Sequence, residues 1–160
     1  MAGLRLSAPV LLVLVLSLTG LPFARAGLPP GWSDTDTGSP ADAGSASDDN
    51  GAWTVSGGGA DIWGTADQRN FASHRFNCDG AIIAQVTSVQ NTDPGSGGSK
   101  AGVMFWNDTA AGAVNAFMAV TATQGVNFQF RTTAGTASSS TQVARVATPV
   151  WVKVVRTSDL

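Results

Sequence analysis

"VNFQFRT", residues 126–132, alternates without a slip. Val126, Phe128 and Phe130 fall on one side of an extended chain, and Asn127, Gln129 and Arg131 on the other. Successive side chains of a strand point to opposite faces, so the pattern predicts a sheet packed on one face and wet on the other. Two more stretches share it. "VWVKVVR" (150–156) sets Val150, Val152 and Val154 against Trp151, Lys153 and Val155, and "AGVMFW" (101–106) sets Ala101, Val103 and Phe105 against Gly102, Met104 and Trp106. Strands are expected near 52–56, 80–90, 100–106, 115–121, 126–132, 142–147 and 150–156. Turn clusters such as "NTDPGSGGS" (91–99) and "TTAGTASSST" (132–141) separate them. No segment repeats apolar residues at the helical period over three turns. The expected fold class is all-β, an antiparallel β-sandwich or barrel.

The first 26 residues stand apart. Arg5, the apolar run "APVLLVLVLSLT" (8–19) and Ala24-Arg25-Ala26 before Gly27 have the build of a cleaved secretory signal peptide. A retained anchor is the alternative, but a span needs ~20 apolar residues. The expectation is therefore a secreted, extracellular domain over 27–160, free of membrane after cleavage. Without Arg5 and Arg25 it carries seven Lys and Arg against eleven Asp, a net charge of −4. Sparse, slightly acidic charge with no basic patch excludes nucleic acid as a partner, since that binding needs clustered Lys and Arg on phosphates. Cys78 is the sole cysteine, so core burial must hold the fold; it reads as a small buried apolar residue. Residues 27–51, rich in Gly, Pro, Ser, Asp and Ala around Trp32, are expected to wrap a domain edge or stay flexible.

The stretch "SGGGADIWGTADQRNF" (56–71) invites catalytic readings, and residue types and spacing count against each. Gly59 and Gly64 have the spacing of a phosphate loop, but Thr65 and Ala66 stand where Lys and Ser or Thr belong. Those glycines read instead as a tight turn or bulge where a side chain would clash. Glycoside hydrolysis needs two carboxyl groups ~5–9.5 Å apart. The chain has no glutamate, and Asp61 and Asp67 are six residues apart across a glycine, so local geometry does not pair them. His74 is the only histidine, and no Gly-x-Ser-x-Gly occurs for a nucleophile. Zinc lacks ligands. No cofactor is expected. Calcium has weak candidates in Asp34 and Asp36 ("DTDTG") and in Asp48 and Asp49 ("SDDNG"), read otherwise as solvated turns. Asn107-Asp108-Thr109 is a sequon and marks a surface position.

Binding remains. A sugar presents apolar C–H faces and rings of hydroxyls, so its site wants an exposed aromatic plate beside amides and a charge. The face away from the core supplies Trp106, Asn127, Gln129, Arg131, Trp151 and Lys153, with strand 126–132 expected beside strand 100–106. An ordinary solvated face with scattered tryptophan is the plain alternative.

"LPPGWSDTDTGSPADAGSAS" (28–47), "TVSGGGADIWGTADQ" (54–68), "AQVTSVQNTDP" (84–94), "KAGVMFW" (100–106) and "VNFQFRTT" (126–133) together resemble the concanavalin A-like lectin/glucanase superfamily. More narrowly, they resemble a jelly-roll module of large secreted bacterial proteins. The resemblance implies a jelly roll lacking its last strands, because such domains continue past the segment similar to "WVKVVRTSDL". An unpaired edge beside Val150, Val152 and Val154 would then promote self-association. The function it implies is a secreted, non-catalytic accessory module that binds polysaccharide or a cell-surface glycan. A ligand-free structural spacer is the alternative, and a glycan-active hydrolase the third; superfamily glucanases use a glutamate-rich strand motif that is missing here.

Overall fold

The computed structural model describes residues 27–92, 95 and 97–157. The expected signal peptide, 1–26, lies outside the described residues. Ten strands and no helix form among those described: β1 (Trp32–Thr37), β2 (Ser45–Asp49), β3 (Ala52–Ser56), β4 (Arg69–His74), β5 (Gly80–Val86), β6 (Lys100–Trp106), β7 (Asn115–Thr121), β8 (Val126–Arg131), β9 (Ser139–Val143) and β10 (Val150–Arg156). All pairings are antiparallel, and they nest. β1 pairs with β4 around the β2–β3 hairpin, and β5 pairs with β10 around the meander β6-β7-β8-β9.

The meander is the central layer, and alternation puts an apolar row on each of its faces. Val103 and Val120 point one way and meet Val152 and Val154 of β10, with Ile82 and Ala84 of β5 packed around them. Met104, Phe117 and Ala119 point the other way, toward Ile62 and Phe71. A sheet covered on both faces has no wet side over its central strands, which overturns the expectation of one core face and one solvent face. β7 also lies between β6 and β8, so the strands at 100–106 and 126–132 are not neighbours.

Three strands were not expected: β1, β2 and β4. The segment 27–51 forms β1 and β2 because carboxylates of β1 take the place of apolar packing. Asp36 accepts the Gly44 N–H at 3.0–3.1 Å, and Asp34 accepts that of Ala46 at 3.0 Å. Asn70 of β4 donates to both, at 2.8 and 3.2 Å. The β2–β3 turn uses Asn50 and Gly51, both at positive φ (52° and 92°), the geometry of a two-residue hairpin that fits the strands' right-handed twist. The strand expected at 142–147 sits at 139–143, and that at 80–90 ends at Val86.

At the far end of β10, Arg156 stacks on Phe76 and Phe105 at 5.4 and 5.7 Å and donates to the carbonyls of Phe76 and Cys78. That clamp fixes residues 76–78 at the surface. Cys78 is exposed, against the expectation of burial.

Candidate functional site: a buried arginine network and an exposed tryptophan face

The six residues expected to share one binding face divide between two layers. Asn127, Gln129 and Arg131 alternate onto the face of β8 that carries Phe117 on β7 and Trp106 on β6. That face is closed by residues 61–71. Arg131 is fully buried and Gln129 is 3 % exposed, so neither meets solvent. The reason is Asp67, itself fully buried, which forms a 2.6 Å ion pair with Arg131. The Arg131 guanidinium spends its remaining donors on the carbonyls of Gly64, Ala111, Ala113 and Thr136 and on the Ser138 hydroxyl. A five-donor fork is the side chain that can close such a set of acceptors. Gln129 accepts from Lys100 at 3.4 Å, and Lys100 pairs with Asp61 at 2.6 Å. Asn127 is half-buried, with its side-chain oxygen enclosed.

Trp106 is also half-buried. Phe71 meets it edge-on at 5.0 Å, the Arg69 guanidinium lies 4.4 Å from its ring centroid, and its indole nitrogen is enclosed. It is a packing residue of this layer and presents no open plate.

Arg69 makes the network asymmetric. It pairs with Asp67 at 2.5 Å, so two guanidinium groups share one buried carboxylate. Burial pushes the Arg69 pKa down; the Asp67 charge and hydrogen bond oppose that, and the positive Arg131 adds to it. Arg69 leaves Nε and one terminal nitrogen without hydrogen-bond partners among the described residues. A cation whose pKa is lower folded than unfolded costs stability at every pH below its folded pKa. The cost fades only as pH rises through the folded pKa toward the unfolded one, far into the alkaline range. Arg69→Met keeps the contact with Phe71 and Trp106 and leaves Asp67 and Arg131 as a neutral pair. Removing one partner of a buried pair is costly when it leaves a charge uncompensated; here Asp67 stays paired with Arg131, so this variant is expected to melt at or above the wild-type temperature at pH 7. A fall of more than about 1 kcal/mol would assign Arg69 a stabilising role.

Trp151 and Lys153 lie elsewhere. Val152 and Val154 point into the core at 5 % exposure, so their neighbours on β10 must point outward. Trp151 is 68 % exposed, the most open large apolar side chain among the described residues. Gln85 of β5 sits directly opposite it, and Lys153 opposite Ile83. Lys153 lies on the same face about 7 Å from Trp151 along the strand. The result is an indole plate flanked by an amide and an ammonium. Gln85 was not anticipated, because its position depends on a pairing across 66 residues (Trp151↔Gln85) that local pattern does not reveal.

Asp34 and Asp36 are the backbone clamps already described. Asp48 accepts the Gly51 N–H at 2.9 Å, and Asp49 accepts from Asn50 at 2.9 Å. Among the described residues no three His, Cys, Asp or Glu side chains converge as metal ligands. No known family's model, no curated protein and no solved structure matches this chain.

Proposed function

We propose that this chain is a secreted, non-catalytic module of the concanavalin A-like jelly-roll type, holding polysaccharide or a cell-surface glycan for a larger protein. The observation that carries the reading is the outward face of β5 and β10, where exposed Trp151 stands beside Gln85 and Lys153. An indole offers its π-face to the C–H face of a pyranose, while an amide and an ammonium serve the hydroxyls at its rim. Non-catalytic character is supported by the engagement of both aspartates of the 56–71 stretch: Asp67 is sealed against Arg131, and Asp61 is paired with Lys100. The binding residues are thus Trp151, Lys153 and Gln85, with Trp106, Asn127, Gln129 and Arg131 supporting the scaffold beneath.

Affinity electrophoresis of the 27–160 chain through gels containing β-glucans, xylans and other polysaccharides tests this. At least one polymer is expected to retard the wild type. Trp151→Ala should weaken that binding by roughly 1–3 kcal/mol, the cost of truncating a hot-spot aromatic, and Lys153→Ala by less. Equal retardation of wild type and Trp151→Ala would refute the site. The free edge of β10, unpaired beyond β5 among the described residues, favours a second reading. A chain that binds no polysaccharide yet sediments as a dimer would assign this face to another copy and the role to a spacer.

A further inference from the structure

A second aromatic cluster lies on the opposite side of the molecule. Trp32 and His74 are directly paired across β1 and β4, and their rings are 5.8 Å apart. Trp53 of β3 reaches Trp32 at 4.6 Å with the planes inclined by 50°. Arg69 and Phe71 of β4 point toward Trp106 in the central sheet. Alternation therefore turns His74, and Trp32 opposite it, away from that sheet. Trp151 faces outward beyond β5 and β10, on the other side of the same central layer. Two layer spacings of about 10 Å keep the two tryptophan faces roughly 20 Å or more apart.

The cluster is not a closed core. Trp53 is 38 % exposed, His74 is exposed, and every residue of β3 is exposed. Asp48 stands directly opposite Trp53 on β2, and its carboxylate takes the Gly51 N–H through one oxygen. A partly exposed indole backed by a second ring, with an imidazole against that second ring and a carboxylate at the facing position of the neighbouring strand, has the composition of a saccharide subsite: a stacking plate with groups for vicinal hydroxyls. An apolar protein partner would leave the carboxylate and the imidazole unpaired at its interface, at a cost.

We infer that Trp53, Trp32, His74 and Asp48 form a second glycan-binding site, which makes the module a cross-linker of two glycan chains. The inference rests on the reading of Trp151 as the first site. Two sites facing opposite ways cannot grip one short saccharide together, so their joint effect shows only with polymer.

The test is titration calorimetry with a β-glucan or xylan hexasaccharide, taken from whichever polymer retards the wild type, and turbidity with the polymer itself. The wild type should bind two hexasaccharides per chain and raise turbidity. Trp151→Ala and Trp53→Ala should each bind one, and neither should raise turbidity. His74→Ala, which leaves the contact between Trp32 and Trp53 intact, should weaken the second site about 3- to 10-fold. A wild-type stoichiometry of one that vanishes in Trp151→Ala would overturn the second site and leave the first standing. No binding by any of the proteins would overturn both. A lower melting temperature in Trp53→Ala, with binding unchanged in His74→Ala, would also overturn the second site, reducing the cluster to packing of the β2–β3 hairpin.

Discussion

Asp67→Ala is expected to destabilise the protein by about 3–5 kcal/mol, the cost of leaving buried charge without its partner. The residue is fully buried, and its two oxygens receive Arg131, Arg69 and Asn115. Its removal strands two guanidinium groups in the layer between the central sheet and residues 61–71. The melting temperature should fall by roughly 10 °C or more. Asp67→Asn keeps the shape but not the charge, and should be nearly as damaging. Arg131→Lys should also fail, because an ammonium has three donors on one atom and cannot span acceptors on residues 64, 67, 111, 113, 136 and 138. Urea unfolding of these variants beside Arg69→Met checks the asymmetry: large losses at positions 67 and 131, none at 69. Equal losses at all three would show that the network is stabilising as a whole.

The second large effect is expected at Gly59. A Cβ there would stand 2.0 Å from the Gln68 carbonyl oxygen and 2.7 Å from the Arg69 nitrogen. Both belong to backbone leading into β4, so nothing at the far end of a flexible side chain can give way. Gly59→Ala should cost about 3 kcal/mol, the upper end for overpacking, by pushing residues 57–59 off β4. Gly51→Ala makes a useful contrast: a Cβ there meets nothing within 4 Å, and only the positive φ of 92° opposes it. Denaturant midpoints of the two variants measure the difference. Equal, small losses would mean that residues 57–59 can move aside without cost.

The same glycine contact shows what the sequence could and could not reveal. That "SGGG" marks a place where a Cβ would clash was legible, because glycine runs serve close backbone approach. The strand being approached was not, since "RNFASH" has neither alternation nor an apolar run to announce β4. β1 and β2 were hidden for a related reason. "WSDTDT" and "SASDD" are poor strand sequences, held extended by Asp34 and Asp36 bonding backbone N–H groups of residues 44 and 46. Asn50-Gly51 was a usable signal, a two-residue hairpin turn placing a strand on each side of it.

The alternation of "VNFQFRT" matches the two faces of β8, but on that strand polar is not wet: Gln129 and Arg131 are buried. Arg131 is polar and buried because Asp67, 64 residues earlier, meets it there. Nothing local to either residue announces the pairing. On β10 the same reasoning held for a physical reason: β5 and β10 form an outer layer with only one face covered, so Trp151 and Lys153 do reach solvent.

Side-chain indole N–H signals read the site most directly, because five tryptophans give five assignable probes in one protein. Heteronuclear NMR of the 27–160 chain, titrated with the hexasaccharide of a polymer that retards it, should move the Trp151 indole signal progressively. The enclosed Trp106 indole should stay in place. A titration that moves Trp106 while Trp151 stays fixed would place the ligand on the buried arginine side and contradict the account.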